Sequence, residues 1–157
     1  MLGRLFRHLI GEDWAVRRAF PAATLERITT LTAEQEKRHS GELRFAVEGG
    51  LAPLSVLRRQ TPRERAVELF AQMGVWDTEA NNGVLIYLLL ADRNVLIVAD
   101  RGIASRVASE QWQAICRDME SRFAKGEYEQ GAVEGLVRVS DLMARHFPAQ
   151  GANPNEL

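Results

Sequence analysis

Asp77-Thr78-Glu79-Ala80-Asn81-Asn82-Gly83-Val84-Leu85-Ile86-Tyr87-Leu88-Leu89-Leu90-Ala91-Asp92-Arg93-Asn94-Val95-Leu96-Ile97-Val98-Ala99-Asp100-Arg101-Gly102 is the stretch that decides the fold of this chain. Val84 to Leu90 is continuously apolar and too short to cross a membrane, so it reads as a strand buried on both faces at the centre of a sheet. Val95 to Ala99 is a second strand. Only Ala91-Asp92-Arg93-Asn94 separates the two, which is enough for a tight turn and too little for a parallel crossover, so they pair antiparallel. Folding back in this way brings Asp77, Glu79, Asn81 and Asn82 to the same sheet end as Asp100, Arg101 and Gly102. An oxygen-rich cluster at the end of a rigid sheet is the first place to look for a site.

Working outward, Glu42 to Glu48 alternates, with Leu43, Phe45 and Val47 on one side and Glu42, Arg44 and Glu48 on the other, the period of a half-exposed strand near the sheet edge. Thr61-Pro62-Arg63-Glu64 starts a helix with an N-cap threonine, proline at the first position and a capping-box glutamate. Val67 and Phe70 mark its buried stripe and Gly74 ends it. Strand, helix, strand in this order makes a right-handed crossover, so the first strand runs parallel to Val84–Leu90. The expected fold class is therefore α/β with a mixed sheet: one parallel crossover plus one antiparallel hairpin.

Before the first strand, Pro21 precedes a helix carrying Leu25, Ile28 and Leu31, whose second half, Glu34 to Arg38, is wholly polar and reads as solvated. After the hairpin come two helices. Trp112, Ile115, Cys116, Met119 and Phe123 stripe the first, broken at Gly126; Val133, Leu136, Val137, Met143 and Phe147 stripe the second, ended by Pro148. Residues 149–157 carry no periodicity and read as a flexible tail. At the other terminus, Leu2, Leu5, Phe6, Leu9 and Ile10 recur at helical spacing between Arg4, Arg7 and His8, so residues 1–19 form a basic amphipathic arm. It has two readings: docking on the domain or on a second copy, or contact with a membrane surface or membrane protein through residues 2–20, favoured by the arginines, Trp14 and Phe20.

At 157 residues and 46% hydrophobic content, the chain fits one domain with a substantial core. A net charge of -1 and the lack of a basic run with interleaved aromatics argue against nucleic acid as a partner. One cysteine excludes an intramolecular disulfide, and no signal-peptide pattern precedes the domain, so a cytoplasmic location is expected. Cys116 itself falls on an apolar stripe and reads as an inert core thiol.

Hydrolase elbows, phosphate loops, dinucleotide fingerprints and zinc-protease motifs are all missing, and His8, His39 and His146 sit at no ligand spacing. The loop-end group is the remaining chemistry. Asp77, Glu79, Asn81, Asn82 and Asp100 are oxygen donors suited to a hard cation, calcium or magnesium, which would clamp a phosphate or stiffen the loop. The competing reading is turn chemistry: Asn82-Gly83 as a positive-φ pair, Asp77 and Asn81 on nearby backbone, Asp100 against Arg101. His39-Ser40-Gly41-Glu42 is a second polar cluster, read as a helix end turning into the first strand.

Together, His39-Ser40-Gly41-Glu42-Leu43-Arg44, Arg65-Ala66-Val67-Glu68-Leu69-Phe70, Asn81-Asn82-Gly83-Val84-Leu85-Ile86-Tyr87, Asp92-Arg93, Ile97-Val98-Ala99-Asp100-Arg101-Gly102 and Phe123-Ala124-Lys125-Gly126-Glu127-Tyr128 resemble the TPM domain family. The resemblance spans residues 20–148 and implies a three-layer α/β/α, Rossmann-like sandwich. Its functional implication divides, because that family includes an acid phosphatase with calcium near its site and a non-enzymatic accessory to a membrane channel. Asn81 stands where the family often has aspartate, and Asp100-Arg101-Gly102 replaces its common Gly-x-Gly. The resemblance points to the short bacterial subgroup that accompanies a longer relative and a membrane protein. The expectation is a TPM-domain binding or accessory module with a candidate cation site. The alternative is a metal-assisted phosphomonoesterase in which Asp77, Glu79, Asn82 and Asp100 hold the ion and Arg101 stabilises the phosphate.

Overall fold

The computed structural model describes residues 14–51 and 57–149. The amphipathic segment from Leu2 to Ile10 and the tail beyond Ala149 lie outside these residues. Central strand β2 (Val84–Leu89) pairs parallel with β1 (Leu43–Glu48) on one side and antiparallel with β3 (Asn94–Ala99) on the other, in the order β1-β2-β3. Leu90 belongs to a 3₁₀ turn (Leu90–Asp92), and Arg93, at φ 49°, completes the reversal into β3.

All six residues of β2 are buried, and their alternation splits the core in two. Val84, Ile86 and Leu88 face one cluster with Leu43, Phe45 and Val47. Four helices supply the rest of that layer: α1 (Trp14–Ala19), α2 (Ala22–Glu36), α5 (Ser109–Ala124) and α6 (Tyr128–His146). Leu85, Tyr87 and Leu89 face the other cluster, covered by α3 (Pro62–Gln72) through Ala66, Leu69 and Met73. A one-turn helix, α4 (Arg101–Ala104), follows β3 and buries Ile103. Helices therefore cover both faces of a mixed sheet, a three-layer α/β/α architecture.

Local chemistry explains the elements. Thr61 accepts from the Glu64 amide while Glu64 accepts from the Thr61 amide, so the capping box starts α3 as its sequence requires. Gly74 and Gly126, at φ 69° and 77°, follow the ends of α3 and α5.

Three details differ from the sequence reading. The buried stripe of α3 is Ala66, Leu69 and Met73; Val67 is exposed and Phe70 lies at the flank, because small Ala66 lets the helix sit close on the sheet. Helix α6 approaches through Gly131, Ala132, Gly135 and Leu136, residues that a count of large apolar side chains passes over, leaving Val133 and Val137 half-buried. The second side of β1 is also not a solvent face. Ala46 is fully buried there, and Arg44 and Glu48 are half-buried in ion pairs.

One of those pairs ties three elements together. Arg65 on α3 donates from Nε and Nη2 to both Glu48 carboxylate oxygens, at 2.9 and 2.8 Å, and the Tyr87 hydroxyl donates to Glu48 Oε1 at 2.8 Å. Burial, then the Glu48 charge, pushes the Tyr87 hydroxyl far above its usual range, so it stays a donor. The free edge of β3 is also managed. Glu120 accepts from the Val95 amide at 2.9 Å and Arg63 donates to the Ile97 carbonyl at 2.9 Å, occupying groups that another chain would use.

Removing Arg65 leaves the half-buried Glu48 carboxylate without its cation, so Arg65→Ala is expected to lower unfolding stability by about 2–3 kcal/mol, against about 1 kcal/mol for Tyr87→Phe. Urea denaturation of the two variants checks this; equal small losses would show that the bidentate pair contributes little.

Candidate functional site

The hairpin brings the two loops together at the end of the sheet where β2 begins and β3 ends. The Gly102 amide donates to the Asn81 carbonyl at 2.7 Å, and the Asp100 amide to the Gly83 carbonyl at 2.9 Å. Gly102 makes the approach sterically allowed: a Cβ there would lie 2.0 Å from the Ala80 carbonyl oxygen. Gly83 allows a second close approach, to the segment after α3, where a Cβ would lie 2.0 Å from the Val75 carbonyl oxygen. The left-handed residue of the loop is Asn81, at φ 52°. The Asn82-Gly83 pair does not supply the positive φ; Gly83 is needed for close packing instead.

The site residues then separate by environment. Asp77, Glu79, Asn81 and Arg101 are exposed, and Asp100 is half-buried. Asp100 caps α4, its Oδ1 accepting from the Arg101 amide at 2.7 Å. Asn82 is 1% exposed, and its side chain turns inward, donating to the Ser40 hydroxyl at 3.2 Å. Its amide N–H donates to the Thr78 hydroxyl at 3.0 Å. Asn82 thus pins the loop to the Ser40-Gly41 turn, a contact across 42 residues that joins the two polar clusters of the sequence. Gly41 is equally confined: a Cβ there would meet the Asn82 carbonyl oxygen at 2.5 Å.

For calcium or magnesium the fit is poor. Asp100 has one oxygen committed to a helix cap, and Asn82 points away from the carboxylates. Among the described residues no group of three or more His, Cys, Asp or Glu side chains comes together in a way that could hold a metal ion.

Two buried titratable groups lie behind this loop end. His39 is 3% exposed, sits in an isolated antiparallel bridge with Pro148, and has no hydrogen-bond partner on either ring nitrogen. Burial lowers its pKa from 6.5 to about 4, with the Gly41 carbonyl opposing and Arg38 reinforcing the shift. Glu36, at the end of α2, is not solvated as its polar neighbours suggest: it accepts from the Leu43 amide at 3.4 Å and lies 3.7 Å from Arg44. Burial and the neighbouring Glu42 raise its pKa from 4.5 to about 7. Cys116 is half-buried beside β3, and burial pushes its thiol up to about 11, keeping it protonated at neutral pH.

Sequence reasoning missed the inward turn of Asn82, because no local pattern distinguishes an asparagine that bonds its own loop from one that bonds a turn far back in the chain. It also missed the opposite end of the sheet. There a cavity of about 740 Å³ opens beside the 3₁₀ turn, lined by Trp14, Arg18, Leu90, Arg93 and Tyr128 among others.

The fold and this loop arrangement define a mixed-sheet α/β/α domain of one particular kind. The family model for the TPM domain matches residues 17–142, and the chain belongs to that family. Among solved structures, the NMR structure of the BA42 protein from the psychrophilic bacterium Bizionia argentinensis is similar at 26% identity with a TM-score of 0.74, over 94% of this chain and 93% of that one. The NMR structure of the N-terminal domain of a protein from P. gingivalis shares the fold at 22% identity and a TM-score of 0.63, over 80% and 79% of the two chains. No curated protein matches the chain.

Two outcomes are expected. Gly102→Ala forces the two loops apart, so amide resonances of Ala80 to Gly83 and of Asp100 should shift while those of β1 stay in place; an unchanged loop spectrum would contradict the packing. Stability should depend on pH through two opposing groups. The raised pKa of Glu36 stabilises fully below about 4.5 and is lost as pH rises through about 7, whereas the lowered pKa of His39 stabilises above about 6.5 and is lost as pH falls towards about 4. Glu36→Gln removes the first, so the gain in stability between pH 5 and 7 should exceed that of the parent by on the order of 2 kcal/mol. Parallel curves in denaturant titrations would show that Glu36 titrates normally.

Proposed function

We propose that this TPM-domain chain acts by binding, as an accessory module at a membrane-protein assembly, and that its amino-terminal arm makes the contact. The observation that carries this reading is the character of α1. Trp14 is 66% exposed, Arg17 and Arg18 are exposed beside it, and the sequence before the helix holds a basic amphipathic stretch from Leu2 to Ile10, followed by Glu12 and Asp13. Tryptophan and arginine together on an exposed helix suit the polar boundary of a membrane, where the ring is part-buried and the guanidinium meets anionic groups. Val16 on the inner face is fully buried, so α1 is anchored to the domain and presents those groups rigidly. Among the described residues no helix is long and apolar enough to cross a membrane, so contact would be peripheral.

At the loop end, Asn81, Glu79 and Asp77 form an exposed polar surface suited to a protein partner. Metal-assisted phosphomonoester hydrolysis is the weaker reading. It leaves Asp100 one free oxygen beside its cap and asks Asn82 to abandon Ser40, a move that opposes the packing of the loop end.

Capture from native membranes by the full chain, compared with a Trp14→Ala, Arg17→Gln variant, tests the proposal. An integral membrane protein retained by the parent and lost by the variant is the expected result. No membrane protein retained, or hydrolysis of a chromogenic phosphate ester abolished by Asp100→Ala, would overturn it.

A further inference from the structure

The end of the sheet opposite the glycine-packed loops holds an unassigned opening. The cavity of about 740 Å³ lies where β1 and β2 end, between α1, the 3₁₀ turn and the start of α6. This volume falls within the usual range for small-ligand sites, roughly 300–1,000 Å³. Its charge is lopsided. Arg18 and Arg93 both line it, and neither has a carboxylate partner among the described residues. Arg18 lies over the Trp14 ring, its guanidinium carbon 5.3 Å from the ring centre. Among the described residues the acid lining the cavity is Glu129, which is already engaged: it accepts from the Thr24 hydroxyl at 2.9 Å and pairs with Arg27 at 3.4 Å. The amino termini of α2 and α6 open on the same space, and neither has a side-chain cap, so their positive ends add to the two arginines.

We infer that this cavity takes the phosphate of an anionic lipid headgroup, with Arg18 and Arg93 as its ligands and Trp14 at the lipid boundary. The inference rests on the membrane-proximal reading of α1 and gives that contact a specific chemistry. A lipid is favoured over a free phosphate by what surrounds the opening. Trp14 is exposed at the rim, and Arg17 is exposed on the same helix. A soluble anion would need the two arginines and gain nothing from an exposed indole. The net charge of -1 gives no bulk attraction to an anionic surface, so binding must be local to this end.

Flotation of the full chain with phosphatidylglycerol-containing vesicles, against phosphatidylcholine alone, tests the inference. The informative variant is Arg18→Gln, Arg93→Asn, since asparagine tolerates the left-handed backbone of position 93. Arg117→Gln, Arg145→Gln removes the same charge from exposed positions elsewhere. Thermal unfolding confirms that each variant is folded, and Arg18→Gln alone replaces the pair if position 93 proves intolerant. Binding that needs phosphatidylglycerol, falls roughly tenfold in the first variant and persists in the second is the expected result.

Equal losses in both variants would reduce the effect to bulk charge and overturn the site. Undiminished binding by the first variant would overturn the pocket while leaving the membrane contact standing. Binding of inorganic phosphate without vesicle binding would assign the cavity to a soluble anion. No vesicle binding, with a membrane protein still captured, would overturn the lipid site and leave the accessory-module reading intact.

Discussion

Everything else in this domain depends on burying β2 on both faces and pairing it along both edges. A six-residue apolar strand has no side to turn to water, so a helix layer is required above and below the sheet, and a partner strand on each side. The antiparallel partner follows within a few residues, which forces the entry loop of β2 and the exit of β3 into contact. Gly102 is the consequence, because any side chain there would collide with the Ala80 carbonyl oxygen of the facing loop, and Gly83 serves a second close approach, to the Val75 carbonyl after α3. The loop end is rigid because backbone packs directly on backbone there.

Polar groups divide into those that hold this arrangement and those left over. Glu48, Arg65 and Tyr87 satisfy one another across β1, α3 and β2, and Arg63 and Glu120 occupy the edge of β3. Asn82 and Ser40 fasten the loop end to the turn before β1. The cost shows in the orphans: Asn82 Oδ1 and both nitrogens of His39 are buried without partners. In contrast, the cations of the opposite end, Arg18 and Arg93, remain at the surface. At one end of the sheet the polar groups are consumed by structure, and at the other two arginines have no carboxylate partner among the described residues.

The architecture was largely readable from sequence because its determinants are local. The apolar run at Val84, the four-residue turn at Ala91, the capping box at Thr61 and the alternation from Leu43 each specify geometry within a few residues. The errors arise where a helix packs through small residues, as at Ala66, Gly131 and Gly135, since hydrophobic counting weighs bulk and not closeness of approach. The candidate site was readable only as proximity. The hairpin places the loop of Asn81 at the same sheet end as Gly102, where the two meet, but which way Asn82 turns, and that Asp100 serves as a cap, depend on Ser40 and on a helical turn after β3 that its sequence does not announce. The cavity near Arg93 was invisible for the same reason: Trp14, Arg18, Arg93 and Tyr128 share no local pattern.

The two ends of the sheet thus have different characters, and under the proposed function the end bearing α1 and the 3₁₀ turn faces the membrane. The most direct measurement is an amide-resolved NMR map of the full chain mixed with bicelles containing anionic lipid, carrying a paramagnetic label at the headgroup. Broadening is expected in residues 2–19, in residues 90–93 and in residues 126–129, with Asn81, Asp100 and Gly102 unaffected. Broadening centred on Asn81 to Gly102, with α1 untouched, would contradict it.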